Sequence, residues 1–593
     1  MRIPDWVRFR PQIHRREIFW GGAIFLVALA VRGYFLVEIR GLWNYLILDS
    51  LFYFEWAKEI QQGDWLGSQV FHQSPFYAYF LAALLTGIDW VRKIFGTLPF
   101  TGDPMFWVRG FQALLGAAGC WLLARVAMKA GTAAEGYAAG FLAAVYGPFI
   151  YYDTMVMKTF LATVLSLACF LFLYRSAGVE RRALILSGLF LGLTSLVRDN
   201  FILMFPFLIL GVLPWLPRPR RRPTLRAAAW LLAGTAMVVL PVTARNLVVG
   251  GELSLLTAGG GEVFYIGNNP EADGRYRPPC IPVQGKPQCV RADPKYEHDD
   301  FRQIAGALTG KTLTPMQSSR FWLRQGLAFV WDQPGAYLLL LTKKLGIFLR
   351  DTEIADNYDY GMFRRVSFLL ALPIPTFGLI LGLSLPGIVV SLGRWRKYSL
   401  LYAAVGGYTA TVLLFFNFSR FRIPAVAALL VFSGVGLVWM ARQAVRAFRL
   451  FLSEGYPSGI QAAALLLAGL AVAAGVIRIS RIQGPTTILQ TIQRQVQLGE
   501  LLRLSGHPRR ALREFEKARF LVGDAPIEQR LDLLGNTPPE KFRQTLQEEK
   551  LLTGVNFRLV HSRVYEGMGM VRRDLGDYRQ AAADLEESLA IFV

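Results

Sequence analysis

The residues of this sequence best suited to chemistry are sparse charges at the edges of long apolar runs. Asp49 follows the first such run, in "LILDSLFYFEWAKEIQQGDW" (46–65), and Asp153 lies between two later runs, in "YGPFIYYDTMVMK" (146–158). Arg198 with Asp199, Arg245, Lys343, Lys344, Arg420 and Arg422 stand at similar junctions. Charges at that depth are expensive unless they face a cavity or a ligand. Two acids and several cations at one level suit a site that holds an anionic lipid headgroup beside a general base. Arg pairs phosphate bidentately, Lys neutralises it as a point charge, and a carboxylate takes the proton of an attacking hydroxyl. The plainer reading of each single cation is an interfacial girdle whose side chains snorkel to the headgroups.

Other chemistries lack their signatures. No Gly-rich phosphate loop joins a strand to a helix, no Cys or His set has zinc spacing, and no local Ser-His-Asp signature occurs. "EHDD" (297–300) reads as a solvated acidic turn in preference to a cation site. These residues point to no particular cofactor, no metal-binding residues are assigned, and a divalent metal is left open.

The elements that must position these charges are membrane spans. Of 593 residues 53% are hydrophobic and 18% charged, too little charge for a soluble chain of this length. About eleven apolar stretches of bilayer length are centred near residues 28, 117, 143, 165, 190, 208, 234, 380, 407, 431 and 468. A formal charge of +22 would suit nucleic acid, but its distribution does not, and no nucleic-acid partner is expected. Arg8, Arg10, Arg15 and Arg16 precede the first span; Arg125 and Lys129, Arg175, Arg181 and Arg182, "RPRRRPTLR" (218–226), "RWRK" (394–397) and Arg442, Arg446 and Arg449 mark every second junction after it. The positive-inside rule makes these junctions cytoplasmic. The N-terminus is then cytoplasmic, the first run is a retained signal anchor, and residues 39–106, 244–366 and 480–593 are extracytoplasmic (periplasmic, if the membrane is an inner one). Two outer stretches, 74–90 and 334–353, read as helices lying at the membrane surface among its lipids. Cys120 and Cys169 fall in spans as small apolar residues. Cys280 and Cys289 share a Pro-rich outer loop and are a disulfide candidate in an oxidising compartment.

After residue 480 polar helical sequence begins. "LGELLRLSGHPRRALREFEKA" (498–518) superimposes on "MGMVRRDLGDYRQAAADLEES" (568–588), matching Gly499 with Gly569, Gly506 with Gly576, Ala511 with Ala581 and Phe515 with Leu585. This is the spacing of tetratricopeptide repeats at an offset of two units, with a degenerate unit expected between them. Such an array would hold a protein partner, and it lacks a polar capping helix, so it is read as truncated or packed on something else. The expected domains are therefore a transmembrane domain over 1–480 and a helical repeat domain over 481–593.

"LDSLFYFEWAKEIQQGDWLGSQVFHQSPFYAYFLAAL" resembles the first outer loop of GT-C glycosyltransferases, namely protein O-mannosyltransferases and lipid A aminoarabinose transferases (family 39 type). Asp49, Ala57, Gly63-Asp64-Trp65 and Pro75-Phe76-Tyr77 carry the likeness, and Asp153 matches a second functional acid. "LVRDN" (196–200), "TARNLVVGG" (243–251), "GNNPEADGRY" (267–276), "KKLGIFLRDTEIADNYDY" (343–360) and "SRFRIP" (419–424) follow in family order, extending the resemblance over roughly 15–450. Bacterial members with C-terminal tetratricopeptide repeats look closest. The resemblance implies an all-α polytopic GT-C-like bundle with interfacial helices. It further implies a polyprenyl-phosphate-linked sugar as donor and an extracytoplasmic protein, envelope glycan or lipid as acceptor. Asp49 and Asp153 would be catalytic, with Asp49 the general base. Arg198, Arg245, Lys343, Lys344, Arg420 and Arg422 would bind the donor phosphate; Tyr53, His72, Asn268, Asn269 and Glu353 would line the substrate pocket. Two departures leave the donor sugar and acceptor open. Mannosyltransferases usually have Asp-Glu where this chain has Asp49-Ser50, and the aminoarabinose enzymes have Lys-Pro-Pro where it has Gln73-Ser74-Pro75. A polysaccharide ligase or polymerase is the nearest rival, and a transporter, flippase or non-catalytic scaffold the rival from another class. Spans clean at mid-depth, with charges gathered at one end, disfavour a transporter.

Overall fold

The structure, a computed structural model, describes residues 15–96, 103–218, 220–355, 357–453, 456–481, 488–522 and 554–592. Arg8, Arg10 and the middle of the repeat region (523–553) lie outside the described residues. The chain is almost wholly helical and divides into two compact units.

The larger unit comprises Met1–Leu36, Leu46–Asn357 and Ile374–Ile482. Seven helices among the described residues are long and apolar enough to cross a membrane: Arg15–Glu38 (α1), Pro104–Ala130 (α4), Thr159–Ser176 (α7), Arg221–Gly250 (α10), Phe377–Leu413, Ser419–Leu450 and Ile460–Ser480. Phe377–Leu413 is itself broken into α17 (Phe377–Ser391) and α18 (Trp395–Leu413); the last two spans belong to α19 (Ser419–Ser453) and α20 (Tyr456–Ser480). The stretches centred near 143, 190 and 208 also form helices, α5 (Ala133–Val145), α8 (Arg181–Val197) and α9 (Met204–Val212). These are short for a physical reason: 13 residues rise only about 20 Å, against a hydrocarbon core of about 30 Å. A break at Tyr146 ends α5 and starts α6 (Gly147–Thr154), with Pro148 in its first turn, and α6 carries Asp153.

Small residues let these helices cross closely. A Cβ on Gly188 of α8 would lie 2.0 Å from the Leu231 carbonyl of α10, and one on Gly234 of α10 would lie 2.0 Å from the Ile185 carbonyl. Gly387 of α17 and Gly436 of α19 meet in the same reciprocal manner. Without a hydrophobic drive between helices in lipid, such close approach and its dispersion contacts hold the bundle together.

Between α10 and α17 stands the large loop region. It holds α11 (Gly260–Gly267), the hairpin β1 (Cys280–Val283) and β2 (Lys286–Cys289), α12 (Glu297–Thr309), α13 (Pro315–Asp332) and α14 (Pro334–Phe348). Its core gathers Ile266, Val290, Phe301, Ile304 and Trp322 with Phe416 from the α18–α19 junction. Thr314 and Gln317 form a capping box that starts α13, with Pro315 in its first turn. Cys280 and Cys289 face each other across the hairpin and are joined by a disulfide, while Cys120 and Cys169 are free and buried.

The smaller unit comprises Val37–Tyr45, Tyr358–Pro373 and Gln483–Val593. It contains α15 (Tyr360–Val366), α16 (Phe368–Ala371), α21 (Ile488–Leu504), α22 (Pro508–Val522), α23 (Gly554–Asp574) and α24 (Tyr578–Phe592). The two superimposable stretches form two hairpins with equivalent contacts. A Cβ on Gly499 would meet the Phe515 ring at 2.6 Å, and one on Gly569 would meet Leu585 at 2.7 Å. Gly506 (φ +80°) and Gly576 (φ +83°) make the left-handed turns between the paired helices. Tyr45 donates to Glu500 at 2.6 Å and Arg494 pairs with Asp359 at 3.2 Å, so all three segments of this unit are bonded together.

In unfolded, unreduced protein two thiols should titrate, those of Cys120 and Cys169, and four after reduction; four without reductant would overturn the disulfide.

Candidate functional site

The ends of several helices converge around Asp49. It is the first residue of α2 (Asp49–Gln61), where the helix dipole favours a carboxylate. The preceding Leu48 is held at φ +48°, a conformation that costs a bulky residue on the order of 1–3 kcal/mol and persists only where its surroundings impose it. Asp49 pairs with Arg420, the second residue of α19. Burial alone would push the Asp49 carboxyl up; Arg420 and Lys158 outweigh it and hold the group below the usual carboxylate range.

Lys158 stands immediately before α7 and donates to the Tyr53 hydroxyl at 2.8 Å and to Gln73 Oε1 at 3.4 Å. Burial lowers its ammonium to about 8, against the pull of Asp49 and Asp199. Tyr53 lies one turn beyond Asp49 on α2, fully buried, with its ring against Tyr77 of α3 (Phe76–Phe95). Arg198, at the end of α8, donates to Thr159 Oγ1 at 3.1 Å and to the Arg420 carbonyl at 3.2 Å, over the face of Phe421. Asp199 accepts from Ser74 Oγ at 2.5 Å and from Thr257 Oγ1. Asp49, Arg420, Lys158, Arg198 and Asp199 thus form one constellation, three cations against two carboxylates.

The other expected residues have different partners. Asp153 is locked by Arg32 of α1 at 2.7 Å, a guanidinium that also binds the Ala28 and Ala144 carbonyls. Arg245 lies 3.7 Å over the Phe71 ring and donates to the Leu66 and Gln69 carbonyls, clamping the loop before α3. Arg422 pairs with Glu353 at 2.6 Å, both nearly fully buried, with Phe377 under the guanidinium. Lys343 is exposed, whereas Lys344 is buried and donates to Asn268 Oδ1 at 2.9 Å and the Leu413 carbonyl at 3.1 Å. Burial lowers the Lys344 ammonium to about 7. Asn268 and Asn269 bond back to carbonyls of α11 and close that helix. His72 stacks on His298 at 3.6 Å, and His298 pairs with Glu262 at 2.5 Å. Burial takes the two imidazoles down to about 3 and about 4.

The "EHDD" run is not a solvated turn. It opens α12, and every member is paired: Glu297 with Tyr276, His298 with Glu262, Asp299 with Arg302 and Asp300 with Arg291. Among the described residues no three His, Cys, Asp or Glu side chains gather in a way that could hold a metal ion.

Sequence reasoning passed over Lys158 and Arg32. Lys158 ends the very stretch that drew notice to Asp153. Arg32 lies inside a span, where an ionisable side chain is by default a paired one.

At the level of class this is a helical multi-pass membrane protein. Residues 75–245 match the family described as "Dolichyl-phosphate-mannose-protein mannosyltransferase", so the resemblance read from the motifs holds over that segment. Lys158, Arg198 and Asp153 fall within it; Asp49 precedes it and Arg420 follows it. Among solved structures the chain is similar to the Archaeoglobus fulgidus oligosaccharyltransferase tethered with an acceptor peptide containing the NVT sequon via a disulfide bond. Identity there is 13% over 83% of this chain and 59% of that one, with a TM-score of 0.40. The complex of the same enzyme with Zn and sulfate is 14% identical over 80% of this chain and 55% of that one, with a TM-score of 0.39. The chain therefore spans little more than half the length of these structures. No curated protein matches it.

Burial of the Arg422–Glu353 pair predicts a structural role. Glu353→Gln and Arg422→Met should each lower unfolding stability in detergent by about 3 kcal/mol, because each leaves one buried charge without its partner. The double variant should lose clearly less than the sum. Lys343→Ala, at an exposed position, should stay within about 0.5 kcal/mol.

Proposed function

We propose that this chain is an integral membrane glycosyltransferase that moves a sugar from a polyprenyl-phosphate donor to an extracytoplasmic acceptor. The observation that carries the reading is the Asp49–Arg420 pair with Lys158 and Arg198 beside it. A carboxylate and surplus cations are what displacement at an anomeric carbon from a lipid phosphate requires. The acceptor hydroxyl gives its proton to Asp49 as its oxygen bonds to the anomeric carbon. The bond from that carbon to the phosphate oxygen breaks, and the lipid phosphate leaves with the electron pair. Arg420, Lys158 and Arg198 meet the charge it gathers. In the resting pair Arg420 makes Asp49 a weak base. A phosphate that draws Arg420 toward itself restores that basicity, so the base is strengthened when the donor is present.

The matched family's description names dolichyl-phosphate-mannose and a protein acceptor, which favours a protein over a free glycan here. The basic junctions support an N-terminus in the cytoplasm and a site on the opposite face. The two hairpins of the smaller unit support a role for the repeats in holding an acceptor or partner near that face, raising its effective concentration.

Asp49→Asn should lower transfer by on the order of 10²–10⁴ while leaving donor binding nearly intact, since an amide keeps the shape but cannot take the proton. Wild-type turnover from this variant removes Asp49 from the mechanism. The Lys158 ammonium, with its value near 8, is cationic below that pH and neutral above it. Transfer should therefore fall as pH rises through about 8, and Lys158→Arg should move that limb upward. A limb that stays in place in the Arg variant would assign the titration to another group.

A further inference from the structure

Glu297 opens α12, in the run that composition alone marks as a surface acid, yet it is half-buried and its carboxyl is bonded to a tyrosine. Tyr276 donates to its Oε2 at 2.9 Å, and among the described residues this is the hydrogen bond its carboxyl makes. Tyr276 is tied in turn to the Asp49 constellation. Residues 275 and 417 form a bridge, and the Asn417 amide donates to the Gly274 carbonyl at 3.0 Å. The Tyr276 ring packs on Phe416 at 5.2 Å and Phe418 at 5.5 Å, and the Phe418 ring lies 5.4 Å under the Arg420 guanidinium. The path from Glu297 through Tyr276, Phe418 and Arg420 to Asp49 is one contiguous set of contacts, and Glu297 is close enough to feel the Asp49 charge.

A carboxylate here would repel a lipid phosphate, so Glu297 does not belong to the phosphate-binding set. Burial raises its carboxyl to about 8, against the Tyr276 hydrogen bond and helped by Glu262 and Asp49. A neutral carboxyl, one oxygen committed to a tyrosine, has a donor and an acceptor left for a hydroxyl. Resting on the glycosyltransferase reading above, we infer that the Glu297–Tyr276 pair recognises the donor sugar, binding a hydroxyl of the glycosyl group attached to the lipid phosphate. Asp49 and Glu297 then divide the work of two carboxyl groups in one site. The first is held ionised by cations and takes a proton; the second is held neutral by burial and reads the sugar.

The test is binding of undecaprenyl-phosphate mannose, undecaprenyl-phosphate glucose, undecaprenyl-phosphate 4-amino-arabinose and bare undecaprenyl phosphate to the full chain in nanodiscs. Wild type should bind at least one sugar-bearing lipid more tightly than the bare one. Glu297→Ala and Tyr276→Phe should weaken that lipid by roughly tenfold or more, toward the level of bare lipid, whose own affinity stays unchanged. Glu297→Gln should retain most of the sugar-dependent gain, because its amide offers a donor and an acceptor in the same place. It also keeps the inference testable if the Ala variant does not fold. Equal weakening of bare and sugar-bearing lipid, or an effect confined to the acceptor's KM, overturns the inference. A wild-type preference that survives both Glu297→Ala and Tyr276→Phe overturns it alone; no preference in wild type for any sugar-bearing lipid overturns the donor reading with it.

Discussion

A charge next to hydrocarbon persists only where an opposite charge or a ligand neutralises it, and this constraint organises the larger unit. Carboxylate–guanidinium pairs recur through it: Asp153 with Arg32, Glu135 with Arg394, Glu353 with Arg422, and Asp49 with Arg420. Three of them join segments far apart in the chain. The Asp49–Arg420 pair differs because Lys158 and Arg198 also face it. With Asp199 counted, three basic side chains stand with two acidic ones. That excess is the electrostatic basis of the proposed donor site.

The helices were legible because a bilayer imposes a length on apolar runs, and all eleven expected centres fall on helices. Asp49, Arg198 and Arg420 were legible for the same reason, each standing at the edge of such a run. Their partnership was not. Asp49 and Arg420 are 371 residues apart, and no local pattern records which helix ends meet. Arg245 and Arg422 carry the same local signal as Arg420, yet the folded chain turns one onto loop carbonyls and buries the other against Glu353. Residue type and depth identify the candidates; only the crossing of helices decides which partner each one meets. "EHDD" misled for the opposite reason. Four polar residues in a row look solvated, but the first turn of a helix points successive side chains in different directions, and here each direction holds a partner.

The large loop region is tied to its neighbours by buried hydrogen bonds. Lys344 is buried with its ammonium on Asn268 and the Leu413 carbonyl, and Asn417 donates to the Lys344 carbonyl at 3.1 Å. These bonds fix α14 and α11 against the junction of α18 and α19, the segment that presents Arg420. Trp322, Phe301 and Phe416 fill the space behind it, and the disulfide closes the hairpin on the same core. A backbone held on such a backing keeps Arg420 beside Asp49, so under the proposed function only its side chain has to shift toward an arriving phosphate.

Under the proposed function, the two departures from the family pattern acquire a physical meaning. Where the aminoarabinose enzymes have Lys-Pro-Pro, this chain has Gln73-Ser74-Pro75, and the cation that position would supply is missing. Lys158 brings an ammonium to Gln73 Oε1 from a different segment of this chain. Ser74 meanwhile bonds Asp199 instead of ending in a ring that cannot donate. Where mannosyltransferases usually have Asp-Glu, Ser50 is fully buried, and its hydroxyl has no hydrogen-bond partner among the described residues. The second acid of that dipeptide is thus absent from α2, while Glu297 of α12 sets a carboxyl near Asp49 through Tyr276. Under the proposed function Lys158 and α12 stand beside Asp49 at the donor site, and a change of donor sugar would be expected to track those elements more closely than the Asp49 helix.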